Sequence, residues 1–305
     1  MINITNNDYI PEKKTAVALG IFDGVHQGHQ AVINCANSFK SKGYKSAVFT
    51  FKSSSVSSKK KDGRLEALLS DDLKFEKFEE FGIDYIFSPD FSEFKNIPAE
   101  KFVKEILLKR LNAGVAVCGE NFRFGKGALG DSKSLITICQ KYGIEVKVLD
   151  FTLFHGDVIS STIIRQLIRH GDVEKANEML GYHFGFELEV MHGTRMGRTW
   201  NFPTINQIIP KGQVIPRFGV YCSKVLIGDK WHIGVTNVGI KPTVNIKTAP
   251  LAETFIVDYE GDLYGEIIQL KLYKFLRPET KFNSIDVLKN QIASDTRNTI
   301  NYFKI

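Results

Sequence analysis

The chain has only four cysteines in 305 residues, and their placement excludes two chemistries. Cys35, Cys118, Cys139 and Cys222 are scattered among apolar neighbours, with no Cys-x-x-Cys and no Cys/His spacing. Neither a zinc site nor a disulfide framework is predicted, and buried reduced thiols are expected. Long apolar runs are missing too: none approaches the ~20 residues that a bilayer-spanning helix needs. The first residues mix Asn, Asp, Glu and Lys ahead of the apolar stretch Val17–Phe22. That is not the pattern of a secretory leader, so a cytoplasmic location is expected. Nor does one sign of charge dominate, since 40 Lys+Arg face 34 Asp+Glu, a net charge of +6. The densest basic cluster, Lys59-Lys60-Lys61, follows the serine-rich Ser53–Ser58 and reads as a mobile, solvated loop. No nucleic-acid recognition motif accompanies it. The mild positive balance suits phosphorylated small-molecule substrates, which are the expected partners, without nucleic acid or membrane. A monomer or weak homo-oligomer is expected.

What the chain does have is the composition of a globular protein, 43% hydrophobic and 24% charged, at a length sufficient for two cores. The first half alternates strand and helix. Strands are predicted over 15–21, 46–51, 85–87, 115–118 and 145–149, and helices over 29–42, 71–81, 99–111 and 132–142. This alternation predicts an α/β domain with a doubly wound parallel sheet, its ligand beyond the carboxyl ends of the strands. Two further helices, over 161–170 and 173–180, close this half, with Gly181 as a stop signal. From Gly185 the texture is β-rich, with strands over 187–191, 219–227, 231–235, 253–257 and 266–275, then one helix over 284–302. An antiparallel β-barrel with a terminal helix is predicted. The boundary is placed to give domains 1–182 and 183–305. There is no internal repeat, and 52–62 is the low-complexity segment.

The most informative stretch lies between Gly193 and Asn206, Gly-Thr-Arg-Met-Gly-Arg-Thr-Trp-Asn-Phe-Pro-Thr-Ile-Asn. Gly193 and Gly197 let backbone approach a phosphate closely, and Arg195 and Arg198 supply charge beside Thr199. Pro203 argues against a helix just before Thr204 and Asn206. In an extended segment those two side chains leave the same face. A hydroxyl and an amide carbonyl side by side suit a hard cation such as Mg²⁺, shared with nucleotide phosphates. An arginine-bearing turn entering a strand is the plainer alternative.

The run resembles the signature of riboflavin kinases, G-x-x-x-G-R-T-x-x-F-P-T-x-N, at every fixed position. The rest of the chain is similar to bacterial bifunctional riboflavin kinase/FAD synthetases, whose N-terminal module is an FMN adenylyltransferase of the nucleotidyltransferase fold. In the N-terminal half, Gly20-Ile-Phe-Asp-Gly-Val-His-Gln-Gly-His29 joins the first strand to the first helix. Gly20, Phe22, Asp23, Gly24 and Gly28 belong to this turn. His26 and His29 share a face at a spacing of three, and the helix N-terminus adds positive dipole character. His-x-Gly-His resembles the phosphate-binding signature of nucleotidyltransferases, which implies that His29 stabilises charge during adenylyl transfer. Gly119–Gly125 resembles G-x-N/D-F-x-F-G, which implies nucleotide contact from Asn121 and anion contact from Arg123. Ile159–Arg165 resembles S-S-T-x-x-R, implying roles for Ser161, Thr162 and Arg165, although helix capping alone explains a serine there.

In the C-terminal half, Ala252–Gly265 resembles the segment that carries the family's catalytic base, which falls on Glu253. Asn237-Val-Gly-Ile-Lys-Pro-Thr243 resembles N-x-G-x-x-P-T near the nucleotide and flavin, and Phe275-Leu-Arg-Pro-Glu279 resembles F-L-R-P-E at the flavin mouth, implicating Asn237, Thr243 and Arg277. A salt bridge of Arg277 to Glu279 or a nearby acid is the structural alternative. One departure stands out: where the family has Thr-Phe-Asp-Pro-His-Pro after the second strand, this chain has Thr50-Phe51-Lys52-Ser53-Ser54-Ser55. Ile163 also replaces a residue that is often basic. The resemblance implies phosphorylation of riboflavin to FMN by ATP with Mg²⁺, then adenylylation of FMN by ATP to FAD. The departures keep open a kinase with a degenerate adenylyltransferase module, and a non-catalytic flavin-binding regulator is the third alternative.

Overall fold

The computed structural model describes residues 1–5, 9–55, 66–191, 204–240 and 249–304. They form two compact units, Met1–Ser161 and Thr162–Ile305. Lys59–Lys61 and the Gly193–Thr199 part of the glycine- and arginine-rich run lie outside the described residues. Among the described residues, no helix is long and apolar enough to cross a membrane.

The first unit is built on six strands: β1 (Ile2–Asn3), β2 (Thr15–Leu19), β3 (Lys45–Phe49), β4 (Tyr85–Phe87), β5 (Ala113–Gly119) and β6 (Glu145–Leu149). Their order is β1-β4-β3-β2-β5-β6, and every pairing is parallel. All five residues of β2 are buried, as a strand covered on both faces requires. The connecting helices are α1 (Gln27–Ser38), α2 (Asp71–Glu80), α3 (Phe91–Phe94), α4 (Ala99–Lys101) and α5 (Ser132–Lys141). After α4 the chain continues over Phe102–Arg110 with wider turns, ending where the Leu111 N–H donates to Ile106 O in an i→i+5 bond. Polar caps start the helices, Ser70 accepting from Leu73 N–H at α2 and Asp131 with Ser134 forming a capping box at α5. The core centres on Phe49, whose ring lies 5.0–6.0 Å from those of Phe51, Phe87, Phe94 and Phe102. A small hairpin, β7 (Leu153–Phe154) with β8 (Asp157–Val158), precedes the end of the unit.

Strand order reverses between β2 and β5. That switch point opens a crevice beyond the strands' carboxyl ends, where such folds take ligands. β2 and β3 stop at Leu19 and Phe49, two residues short of the expected ends. The backbone there leaves the ladder, with Phe22 at φ 53° and Val25 at φ 36°, and these segments rim the crevice instead.

In the second unit, α6 (Ser161–His170, its first residue counted in the first unit) and α7 (Val173–Leu180) lead into the barrel. The barrel closes in the order β10-β13-β12-β11-β14-β9. Its strands are β9 (Gly185–Met191), β10 (Thr204–Ile208), β11 (Gly219–Ile227), β12 (Lys230–Ile240), β13 (Pro250–Ile256) and β14 (Ile267–Arg277), followed by α8 (Ile285–Phe303). All its pairings are antiparallel. Burial alternates along β10: Ile205 and Gln207 are buried, while Thr204, Asn206 and Ile208 are half-buried on the other face. The buried interior holds a hydroxyl cluster in which Thr236 Oγ1 donates to Ser223 Oγ at 2.7 Å and lies 2.8 Å from Thr254 Oγ1.

Gly181 ends α7 in the left-handed conformation at φ 76°, its N–H on Asn177 O. Asn177 ties that helix to the barrel: its Nδ2 donates to Leu272 O at 3.0 Å and its Oδ1 accepts from Phe184 N–H at 2.7 Å. Packing thus groups α7 with the barrel, whereas the change of sequence texture comes only at Gly185. β12 runs to Ile240, five residues past the expected Val235, and this extension brings Asn237 into the sheet beside β13.

Candidate active sites

In the first unit, the loop from Gly20 to His26 occupies the switch point. Three glycines in and just after this loop stand where a side chain would meet its neighbours. A Cβ at Gly24, where φ is 80°, would meet Leu68 Cδ1 at 2.6 Å, and one at Gly28 would lie 3.3 Å from the His26 ring. Gly20 lies under the Phe22 ring, 3.0 Å from where its Cβ would stand. His26 is the N-cap of α1, its Nδ1 accepting from His29 N–H at 3.3 Å. The two imidazoles stack at 3.6 Å between centroids, and Phe22 meets the His29 ring edge-on at 5.3 Å. His29 Nδ1 is buried with no hydrogen-bond partner. Burial, with a smaller contribution from His26, holds the His29 pKa well below the usual histidine value of 6.5. The ring is therefore neutral at pH 7 in the absence of an anion, at the positive end of a helix.

The loop is braced from below. The buried Asp23 accepts Leu68 N–H at Oδ1, 2.8 Å away, and its carbonyl accepts the Ser161 hydroxyl at 2.9 Å. Ser161 thus supports the loop directly. Thr50 Oγ1 donates to Ile21 O at 2.8 Å, and Gly20 N–H to Phe49 O at 3.2 Å. On the other side of the switch point, Asn121 and Arg123 lie on the exposed loop after β5, and Arg123 Nη1 is 3.6 Å from the carboxylate of Asp131. Thr162 and Arg165 belong to the second unit on α6, where Arg165 is buried.

The segment after β3, where the family's Asp-Pro-His-Pro is missing, is held by a residue that sequence reasoning missed. Lys74 is buried to 1% exposure. Its Nζ donates to Phe51 O at 2.8 Å and Ser53 Oγ at 3.1 Å, and pairs with Asp71 Oδ1 at 2.9 Å. Asp71 Oδ1 also accepts Ser53 N–H at 2.8 Å. Burial lowers the pKa of Lys74, with Asp71 opposing. The signal was available: Lys74 precedes the buried Phe78 by four, in the apolar phase of α2.

In the second unit, three neighbouring strands place three polar residues in one row. Asn206 on β10 stands opposite Glu253 on β13, and Glu253 opposite Asn237 on β12. Opposed residues have Cβ atoms ~5 Å apart, so the row brings together what 47 positions separate in the sequence. Thr204 lies on the same face, and its hydroxyl donates to Glu253 Oε1 at 3.0 Å. That bond uses the hydroxyl proton, so the oxygen's lone pairs point away from the carboxylate and stay suited to a cation. Thr204, Asn206 and Glu253 offer oxygen donors, as a hard divalent ion requires. Beside Thr204 is a cleft of about 440 Å³, whose lining includes Ile205, Ile256, Tyr259, Leu263 and Tyr264. At the other end of the row, Asn237 Nδ2 donates to Glu279 Oε1 at 3.1 Å.

Arg277 is bound into the structure. Its Nε and Nη2 reach the buried Asp295 carboxylate at 2.8–3.2 Å, and Gln291 Nε2 donates to Asp295 Oδ1 at 2.9 Å. This pairing anchors α8 to β14 and makes Arg277 a structural ion-pair residue. Gly193, Arg195, Gly197, Arg198, Thr199 and Thr243 lie outside the described residues.

Comparison with known proteins assigns the two halves separately. Residues 10–163 match the FAD synthetase family and residues 180–303 the riboflavin kinase family. A bifunctional riboflavin kinase/FMN adenylyltransferase of Listeria monocytogenes is 35% identical, covering 98% of this chain and 96% of that one. The enzyme of the same name from Bacillus subtilis is 34% identical, over 99% and 98%. A crystal structure described as a macrolide-efflux protein from Streptococcus pneumoniae superposes with a TM-score of 0.86 at 29% identity, over 98% of each chain. The chain belongs to the bifunctional riboflavin kinase/FMN adenylyltransferase family.

Proposed function

We propose that the second unit phosphorylates riboflavin to FMN with ATP, and that the first transfers AMP from a second ATP to FMN, giving FAD and pyrophosphate. The observation that carries the kinase reading is the Asn206–Glu253–Asn237 row with the Thr204 hydroxyl on the Glu253 carboxylate. Glu253 is the base for the flavin's terminal ribityl hydroxyl, and the Thr204 hydroxyl orients the carboxylate that receives the proton. Thr204 and Asn206 are the residues that would hold Mg²⁺, which when bound neutralises charge on the transferring phosphoryl group. The cleft beside Thr204 has aromatic and aliphatic walls together with the acidic Glu260 and Asp262, and a volume suited to a nucleoside.

Adenylyl transfer is supported by the His26/His29 pair at the N-terminus of α1, in the switch-point crevice. An unpartnered buried imidazole nitrogen there is suited to an anionic ligand that restores its proton. No covalent intermediate is needed: the residues stabilise charge on the α-phosphate as the FMN phosphate attacks and pyrophosphate leaves. The Thr204–Glu253 row lies in the second unit and the His26/His29 pair in the first, so each reaction has its own ATP site. The test is incubation of the pure protein with riboflavin, ATP and Mg²⁺, with chromatographic separation of the flavins. FMN followed by FAD is expected. FMN alone would leave only the kinase, and no turnover would reduce the protein to a flavin binder.

A further inference from the structure

Prolines are the usual means of fixing a backbone segment without a hydrogen-bonded partner strand. The Lys52–Ser55 segment has none, yet it rims the crevice that holds the His26/His29 loop. It turns on itself, Ser55 N–H and Oγ donating to Lys52 O at 3.0 and 2.7 Å, and its other fixed points come from outside. Phe51 O and Ser53 Oγ are held by Lys74 Nζ, and Ser53 N–H by Asp71. On the outer side, Lys52 N–H donates to Pro89 O at 3.3 Å, and Ser55 Oγ accepts from Phe91 N–H at 2.9 Å. The Lys74 ammonium has three donors, and its three oxygen partners satisfy them all. The same helix supports the phosphate loop, because Phe78 of α2 meets Phe22 edge-on at 5.7 Å. Lys74 also feels the charge of Asp23, whose carboxylate fixes Leu68. One buried cation therefore stands between the loop after β2 and the segment after β3.

We infer that Lys74 is a positioning residue for adenylyl transfer: its clamp with Asp71 holds the proline-free Phe51–Ser55 segment in a fixed shape. The inference rests on the assignment of adenylyl transfer to the first unit. Lys74 touches no reacting atom. It acts through the segment, so its loss must weaken substrate binding before it slows chemistry.

The test is Lys74→Met, which keeps the buried stem and removes the ammonium, measured in the full-length protein. Starting from FMN and ATP, we expect the KM for FMN or for ATP to rise at least tenfold while kcat changes less than threefold. Riboflavin phosphorylation should be unchanged, and a circular dichroism spectrum and thermal unfolding profile matching wild type report that the first unit is folded. Hydrogen exchange at the Lys52 and Ser53 amides should accelerate relative to β3. Wild-type protein that makes no FAD would overturn the adenylyltransferase assignment. Wild type that makes FAD, with Lys74→Met showing both KM values within twofold or a fall in kcat alone, would overturn the inference and leave the assignment standing. If Lys74→Met does not fold, Asp71→Asn decides: it weakens both the Lys74 and the Ser53 links, and unchanged KM values there overturn the inference equally.

Discussion

A kinase fragment starting at residue 183 should be far less stable than one starting at residue 162. The composition of the sequence changes near Gly185, so truncation there looks harmless. The packing says otherwise. Val173, Met179 and Leu180 of α7 are fully buried, α7 packs on β14, and Asn177 makes two hydrogen bonds to barrel backbone. Full burial of a Val, Met or Leu side chain is worth about 1.5–3 kcal/mol each, and each hydrogen bond about 0.5–1.5 kcal/mol. Together these amount to about 6–12 kcal/mol, comparable to the total stability of an ordinary domain at roughly 5–15 kcal/mol. Truncation also strips the partner from Leu272 O and Phe184 N–H, two backbone groups at the barrel surface. Residues 162–305 should give a cooperative thermal transition and make FMN from riboflavin and ATP. Residues 183–305 should be unfolded or aggregated, as judged by circular dichroism and size-exclusion chromatography. A 183–305 fragment with the same melting temperature as the longer one would refute this energetic account of α7. A folded 162–305 fragment without kinase turnover would refute the assignment of kinase chemistry to this unit.

Three substitutions probe the two sites. Thr204→Ala removes a candidate metal ligand and the hydrogen bond to Glu253, so FMN formation should fall about 10²–10³-fold, while FMN supplied directly is still converted to FAD; normal kinase rates would remove Thr204 from the site. Glu253→Gln keeps the shape and cannot take the proton, so kcat should fall about 10²–10⁴-fold with riboflavin and ATP affinities nearly unchanged; a matching loss of affinity would make Glu253 a binding residue. His29→Ala should suppress FAD formation from FMN and spare the kinase. In the wild type, the depressed His29 pKa has two signed consequences. The neutral ring's contribution to stability is present above pH 6.5 and is lost as pH falls through the folded-state value. Nucleotide phosphates favour the charged form, so ATP binding by the first unit should take up protons near neutral pH. Calorimetry in buffers of different ionisation enthalpy reads that uptake, and its persistence in His29→Ala would assign it to another group.

The elements of this protein are legible because each carries its own period. Apolar runs give the buried strands β2 and β4, alternation gives the partly exposed β6, and α7 ends at Gly181, where a left-handed residue is needed. The loop chemistry of the first unit is legible for the same reason: His26 and His29 are neighbours through a single helical turn, so a spacing of three is enough to stack their rings. Legibility ends where a function depends on strands far apart in sequence. No pattern pairs Thr204 with Glu253, and it takes the register of β10 on β13 to do so. Likewise β12 continues to Ile240 because its partner β13 continues opposite, and that pairing, more than local propensity, places Asn237 in the row.

The two residues read least completely from the sequence, Arg277 and Lys74, separate charge that recognises a ligand from charge that shapes its site. Arg277 lies in a motif associated with flavin, yet its guanidinium is spent on the buried Asp295. Lys74 lies in no motif, yet it holds the segment next to the His26/His29 loop. In both, burial decides the role. A cation that gives up hydration must recover it from fixed oxygens nearby, and once those bonds are made it sets geometry more than it attracts substrate. By that criterion, the groups proposed for catalysis differ from Lys74 and Arg277: they are half-buried and not fully bound internally, as in His29 with its unpartnered nitrogen and the Thr204–Glu253 pair on the half-buried face of the barrel.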